Sequence, residues 1–230
     1  MLIDTHTHIP DTAGVDRIIL AAADPAEIDA VFAAAQNNPD IFCAIGIHPE
    51  FFDAVPDYAR MLDNPKVVAV GEIGLDYFYG AEHRERQVEL FRAQVEIARG
   101  ANLPVMVHSR GADADAADIL KNVRGTIHCF TSGYDYARVM LDRGFYFGAN
   151  GIITFKNADA VRETFAKIPI DRILSETDAP YCAPVPYRGR DCANAMVVEV
   201  VKCLAEIKKT PAVEMEKILW DNARKCYAKL

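Results

Sequence analysis

His6 and His8 stand two residues apart at the end of an apolar run that begins with Leu2 and Ile3. On a strand every second side chain points the same way, so the two imidazoles share one face. Two neutral ring nitrogens held side by side are half a site for a divalent cation. Donor types then recur at or just past the ends of later apolar runs: Glu72 after 67–70, His108 after 103–107, His128 after 125–127 and Asp178 after 172–174. Six nitrogen and oxygen donors exceed what one tetrahedral ion needs, whereas two ions sharing a carboxylate use them all, with Glu72 the natural bridge. The chemistry this implies is hydrolysis, with a water activated between the ions and charge stabilised on the attacked group.

The elements that must position these residues alternate between strand and helix. Strands are expected at the start of the chain and at 17–22, 41–47, 67–70, 103–107, 125–127, 145–147 and 172–174. Asp24-Pro25-Ala26-Glu27 predicts a capped helix start running to about Gln36, with proline at the first helical position. A short amphipathic piece is expected over 54–62. Val88, Phe91, Val95 and Ala98 form one apolar stripe of a longer helix ending near Gly100. Two more helices close the chain, one carrying Val197, Val200, Val201 and Leu204, the other starting at Thr210-Pro211 and including Trp220. The alternation predicts an α/β fold with a parallel sheet, and eight strands predict a (β/α)8 TIM barrel over residues 1–230 as a single domain. An open doubly wound sheet is the alternative, but no glycine-rich fingerprint follows the first strand. In a barrel the strand C-termini converge, so all six donors can share one mouth. Residues 9–16, with Pro10 and Gly14, are too few for a helix and predict a shortened first βα connection.

The chain has 230 residues, 51% hydrophobic and 25% charged, enough for a substantial core, and a formal charge of −8. That charge provides no broad positive field for a nucleic-acid backbone or an anionic membrane, so any phosphate must be held locally. No basic leader with an apolar core precedes Asp4 and no run reaches the length of a membrane span, so the expectation is a cytoplasmic monomer with no membrane partner. Cys43, Cys129, Cys182, Cys192, Cys203 and Cys226 show no Cys-x-x-Cys spacing and are expected as free thiols, Cys129 being notable beside His128.

Taken in order, Asp4-Thr5-His6-Thr7-His8, Gly46-Ile47-His48-Pro49, Gly71-Glu72-Ile73-Gly74-Leu75-Asp76, Val107-His108-Ser109-Arg110, Ile127-His128-Cys129-Phe130 and Glu176-Thr177-Asp178-Ala179-Pro180 resemble the TatD family of metal-dependent deoxyribonucleases, within the amidohydrolase-like TIM barrels. The resemblance spans nearly the whole chain. It implies two divalent ions, of zinc, manganese, nickel or magnesium, with His6, His8 and Asp178 holding one, His108 and His128 the other, and Glu72 bridging. It implies a metal-activated water attacking a phosphodiester of DNA, as an exonuclease would, with Asp178 both ligand and proton acceptor. His48 and Arg110 are implied near the phosphate, where a guanidinium fork suits phosphate oxygens. Glu176 is expected to orient a ligand from behind, Asp76 and Tyr77 to line the rim or cap a loop, and His83 to be a solvated surface residue.

Two departures from the family pattern stand out. The first connection is short, and Arg188-Gly189-Arg190-Asp191-Cys192-Ala193-Asn194 carries Cys192 where the family commonly has asparagine and Asn194 where it has proline. Neither touches the six donors; both bear on how substrate is gripped. Two other functions compete with DNA cleavage: a small-molecule amidohydrolase or phosphoesterase in the same barrel, and a non-catalytic protein stabilised by metal.

Overall fold

The computed structural model of the chain describes residues 1–79 and 81–230. Eight strands form one parallel sheet in sequential order: β1 (Ile3–Thr7), β2 (Arg17–Ala21), β3 (Ile41–Ile45), β4 (Val67–Asp76), β5 (Val105–Arg110), β6 (Gly125–Ile127), β7 (Tyr146–Ala149) and β8 (Ile173–Ser175). Helices α1 (Ile28–Asn37), α2 (Arg84–Gly100), α3 (Asp113–Ile119), α4 (Tyr134–Asp142), α5 (Asp159–Lys167), α6 (Val197–Lys208) and α7 (Ala212–Cys226) cover it. This is the TIM-barrel architecture the alternation predicted.

Alternation along each strand divides the core in two. Ile18, Leu20, Cys43, Ile45, Val67 and Val70 pack outward against the helices. Ile3, Ile19, Phe42, Val68, Tyr146 and Leu174 pack inward with Trp220, Ala223 and Tyr227, so α7 and the residue after it plug the N-terminal end of the barrel. The opposite end is left for the loops that follow the strands.

Polar side chains draw the two outermost strands together. Thr5 donates to the Ser175 carbonyl at 3.0 Å and Ser175 to the Ile3 carbonyl at 3.1 Å. His8 N donates to Ala179 O at 2.8 Å and Asp178 N to His6 O at 3.0 Å. Buried Asp4 accepts Thr177 N at 2.9 Å and meets the Thr177 hydroxyl. Burial pushes the Asp4 carboxyl up from 3.8 to about 8, against the bonds from Thr177 and His6. The acid is therefore neutral in the folded chain at pH 7 and ionised in the unfolded one. Its stabilising contribution is complete below pH 3.8 and is lost as pH rises through the raised value, by at most about 1.4 kcal/mol per pH unit. Asp4→Asn keeps a neutral isostere whose amide can donate to Thr177. The stability of this variant relative to the parent, read from thermal melts of metal-free protein, is expected to rise from pH 4 to pH 8; a constant difference would refute the assignment.

Several expectations need correction. The amphipathic piece around 54–62 is irregular up to Tyr58 and then forms one 3-10 turn, Ala59–Met61. β4 is ten residues long rather than four and runs through Gly71 and Gly74. β7 starts one residue later than expected and includes Gly148. His83 is only half exposed, its ring stacked on Phe52 at 4.1 Å. Helices α3, α4 and α5, seven to nine residues each, carry no stripe long enough to single out beforehand.

The short first connection is held by one of the departures from the family pattern. Buried Asn194 accepts from the Thr7 hydroxyl at 2.7 Å and donates to the Ile9 and Asp11 carbonyls at 2.9 and 2.6 Å. Cys192 packs with Ala179, Ala183 and Ile9 beneath the same loop. Proline at 194 could supply none of these bonds.

Candidate metal centre

The six donors reach the mouth on five strand ends. β1 delivers His6 and His8, β4 Glu72, β5 His108, the residue after β6 is His128, and the segment after β8 carries Asp178. α2 braces the surrounding loops with two buried glutamines. Gln94 accepts Ile47 N at 2.8 Å and the Tyr58 hydroxyl at 2.9 Å while donating to Ile47 O at 2.9 Å. Gln87 bonds the Asp76 backbone on both sides at 2.9 and 3.0 Å.

Glu72 is at the centre. Its Oε1 lies 2.7 Å from His128 Nε2 and 3.0 Å from His108 Nδ1, and its Oε2 lies 3.5 Å from His6 Nε2 and 3.7 Å from His8 Nε2. Asp178 Oδ1 faces the same two nitrogens, at 3.4 Å from His6 and 3.6 Å from His8. The structure thus brings all six predicted donors together, with one Glu72 oxygen turned to each half.

The other nitrogen of each imidazole points outward to a partner. His6 Nδ1 meets Met106 Sδ at 3.0 Å, His8 Nδ1 the Ala21 carbonyl at 3.1 Å and His108 Nε2 the Asp76 carboxylate at 3.0 Å. His128 Nδ1 faces Glu176 Oε1 at 3.6 Å, too long for a hydrogen bond. An outer acceptor fixes the tautomer and leaves the inner lone pair for a cation. Two pairs of inner nitrogens face each other, His6 with His8 at 3.3 Å and His128 with His108 at 3.4 Å. The edge of a tetrahedron with metal–nitrogen bonds of 2.0–2.1 Å is about 3.3 Å, so the spacing and the donor chemistry fit divalent cations.

The electrostatics point the same way. Burial opposes ionisation of Glu72, yet His128 and His6 hold its carboxyl well below the usual range. Burial likewise works against Asp178, and hydrogen bonds from His6 and His8 keep it low. Against the same burial, Glu72 drives His128 well above its ordinary value, and Asp76 with Glu72 raises His108. The pocket therefore has a negative field that cations satisfy.

His48 lies closer to this cluster than sequence reasoning placed it, its Nε2 3.7 Å from Glu72 Oε1 and its ring 4.5 Å from that of His108. Glu50 N donates to His48 Nδ1 at 3.3 Å, which puts the ring proton on Nε2, facing the pocket. Burial lowers the ring to about 4, so it stays neutral at pH 7. Asp76 combines the roles left open for it: Oδ1 accepts Phe78 N and Tyr79 N at 2.9 and 3.0 Å while Oδ2 anchors His108. Glu176 is buried and accepts Cys129 N behind His128. Arg110 is exposed at the end of β5, its guanidinium over Phe78 at 4.0 Å and Tyr79 at 4.7 Å.

Sequence reasoning missed the rim. The exposed aromatics among the large hydrophobic residues are Phe78, Tyr79 and Tyr181, 64, 65 and 63% accessible. The first two follow β4 directly, and the ring of Tyr181 lies 6.3 Å from that of His8. Each lies within three residues after a motif already singled out, past Asp76 or Pro180, which was the available signal.

A family model described as TatD related DNase matches residues 3–228. The metal-dependent hydrolase YcfH of Escherichia coli is 35% identical, with 96% of this chain and 93% of that protein aligned. YabD of Bacillus subtilis, named likewise, is 35% identical over 99% of both. Among solved structures, the TatD homologue YjjV of E. coli superposes with a TM-score of 0.91 at 30% identity, covering 99% of this chain and 98% of that one.

Proposed function

The chain belongs to the TatD-related DNase family and is a metal-dependent hydrolase, and from that premise we propose that it cleaves phosphodiester bonds at the end of a DNA single strand. The observation that carries this reading is the set of four imidazoles, each turned with one nitrogen to Glu72, three of them with the other nitrogen on an outer partner. In the proposal His6, His8 and Asp178 hold one divalent ion, His108 and His128 a second, and Glu72 lies between them. Such ions, of zinc, manganese, nickel or magnesium, would acidify a water and stabilise the charge that develops on the phosphate.

The remaining steps fall to the protein. Asp178 takes the proton of the attacking water on a carboxylate kept ionised by its histidine neighbours. His48 offers its Nε2–H to a phosphate oxygen from inside the pocket, and Arg110 adds a charged fork from the rim. Asp76 holds His108 in place, and Glu176, fixed by Cys129 N, sets a negative charge behind His128. Phe78, Tyr79 and Tyr181 provide flat apolar faces on which bases stack, which favours a nucleic-acid strand over a small ester. Engaging one strand end needs few basic contacts, consistent with a net charge of −8. The reading is of a monomer acting in the cytoplasm.

The test adds magnesium, manganese, zinc or nickel back to metal-stripped protein and compares end-labelled single-stranded DNA with bis(4-nitrophenyl) phosphate. DNA cleavage is expected to return with at least one ion. The combined Phe78→Ala and Tyr79→Ala variant is expected to raise KM for DNA about tenfold, since one base on an aromatic ring is worth about 1–3 kcal/mol, with a smaller effect on the diester. Turnover of the diester with no DNA cleavage under any ion would move the assignment to a small-molecule phosphoesterase.

A further inference from the structure

Beside the six donors, and sharing Asp178 with them, a further group of metal-ligating atoms among the described residues joins two loops of the barrel mouth. Cys129 follows β6 and Cys182 lies beyond β8, and their sulfurs and an Asp178 carboxylate oxygen all fall within 4.8 Å of one another. We propose that Cys129, Cys182 and Asp178 form a separate site for one thiophilic divalent cation of the zinc and cadmium class.

Three observations support it. First, Cys182 Sγ is 3.5 Å from Asp178 Oδ2. The corresponding edge of a tetrahedral site, with a metal–sulfur bond of 2.3 Å and a metal–oxygen bond of 2.0 Å, is about 3.5 Å. Second, the two Asp178 oxygens face different donor sets: Oδ1 looks at His6 and His8, Oδ2 at the thiols, so engaging one does not consume the other. Third, the backbone is bent to aim these groups. Six non-glycine residues among those described have positive φ, and three of them are Cys129 at 44°, Asp178 at 63° and Cys182 at 55°. Such conformations are disfavoured for L-residues, and here three of them converge on one point.

Without a cation, the neighbouring Cys182, burial and Asp178 keep the Cys129 thiol well above its usual value, so a bound cation must supply the positive charge, and one neighbour already orients the sulfur. Asn150 Nδ2 approaches Cys129 Sγ at 2.9 Å, an N–H directed at sulfur that leaves other lone pairs for a cation. Asn150 is itself buried and fixed by Ile152 N, which donates to its Oδ1 at 3.1 Å. Three protein ligands leave the fourth corner open to water or a small anion. The other thiols differ: Cys43 contacts Lys66 O, Cys192 Ala193 O and Cys203 Ile153 O, each a backbone carbonyl.

The site is tested with Cd2+ titrated into protein already loaded with its own divalent ion, reading the ultraviolet thiolate-to-cadmium charge-transfer band. One equivalent per chain is expected to bind with that band. Cys182→Ser and Cys129→Ser are each expected to reduce its intensity by about half or more and to weaken Cd2+ binding by about tenfold or more, while Cys203→Ser leaves both unchanged. Circular-dichroism melts of the serine variants exclude loss of fold as the cause, and Cys182→Ala repeats the test without a hydroxyl. An unaltered band in folded Cys182→Ser and Cys182→Ala, or no band in the parent, overturns the proposal.

Discussion

Replacing Glu72 with alanine is expected to lower hydrolysis by about three orders of magnitude, as loss of roughly 4 kcal/mol of charge stabilisation would. Glu72 is 3% exposed and faces five imidazoles within 3.7 Å, three through Oε1 and two through Oε2. In the proposed centre its removal would take away the bridge between the two cations and the charge that lets them lie side by side, so metal content measured by elemental analysis should fall with activity. Glu72→Gln, which keeps volume but not charge, should lose nearly as much. Parental turnover in Glu72→Ala would remove this residue from the mechanism and, with it, the two-ion reading.

The largest effect on stability is expected at Gly74. It pairs with His108 across β4 and β5, at a φ of +151° that side chains rarely adopt. A Cβ built there would stand 1.9 Å from the His108 carbonyl oxygen, an overlap with backbone that no rotamer relieves. Gly74→Ala must force apart the two strands that carry Glu72, Asp76 and His108. We expect destabilisation of about 3 kcal/mol or more, a fall in Tm of about 10 °C in a chain of this size, and weaker metal retention in whatever folds. A variant melting within a few degrees of the parent would mean that these strands have slack that the close approach denies.

Gly74 also illustrates what the sequence makes legible. The ligand types at strand ends are readable because alternation on a strand and convergence of ends in a barrel are rules of geometry, so His6, His8, Glu72, His108, His128 and Asp178 could be grouped in advance. Gly71 and Gly74 look like breakers in isolation, which is why β4 was expected to stop at Val70. Their purpose is close packing: a Cβ on Gly71 would meet Met106 at 2.5 Å, and that neighbour lies 35 positions along the chain. Similar distance hides the Asp76 contact with His108 and the Asn194 latch on the first loop. Cys129 and Cys182 are 53 positions apart, with no spacing pattern to link them. Such pairings depend on which loops the barrel makes adjacent, and no local rule supplies that.

The polar seam between the first and last strands has a further consequence for how the molecule is made. A ribosome delivers five of the six donors well before Asp178, and β8 emerges after every other strand. Until it docks beside β1, the nascent polypeptide carries histidines around Glu72 but lacks the acid group that completes one half. The full donor set is thus complete only when the two ends of the sheet meet. A product of interrupted translation that stops short of residue 173 would carry five of the six donors and lack Asp178, so the hydrolase cannot act before its last strand is made.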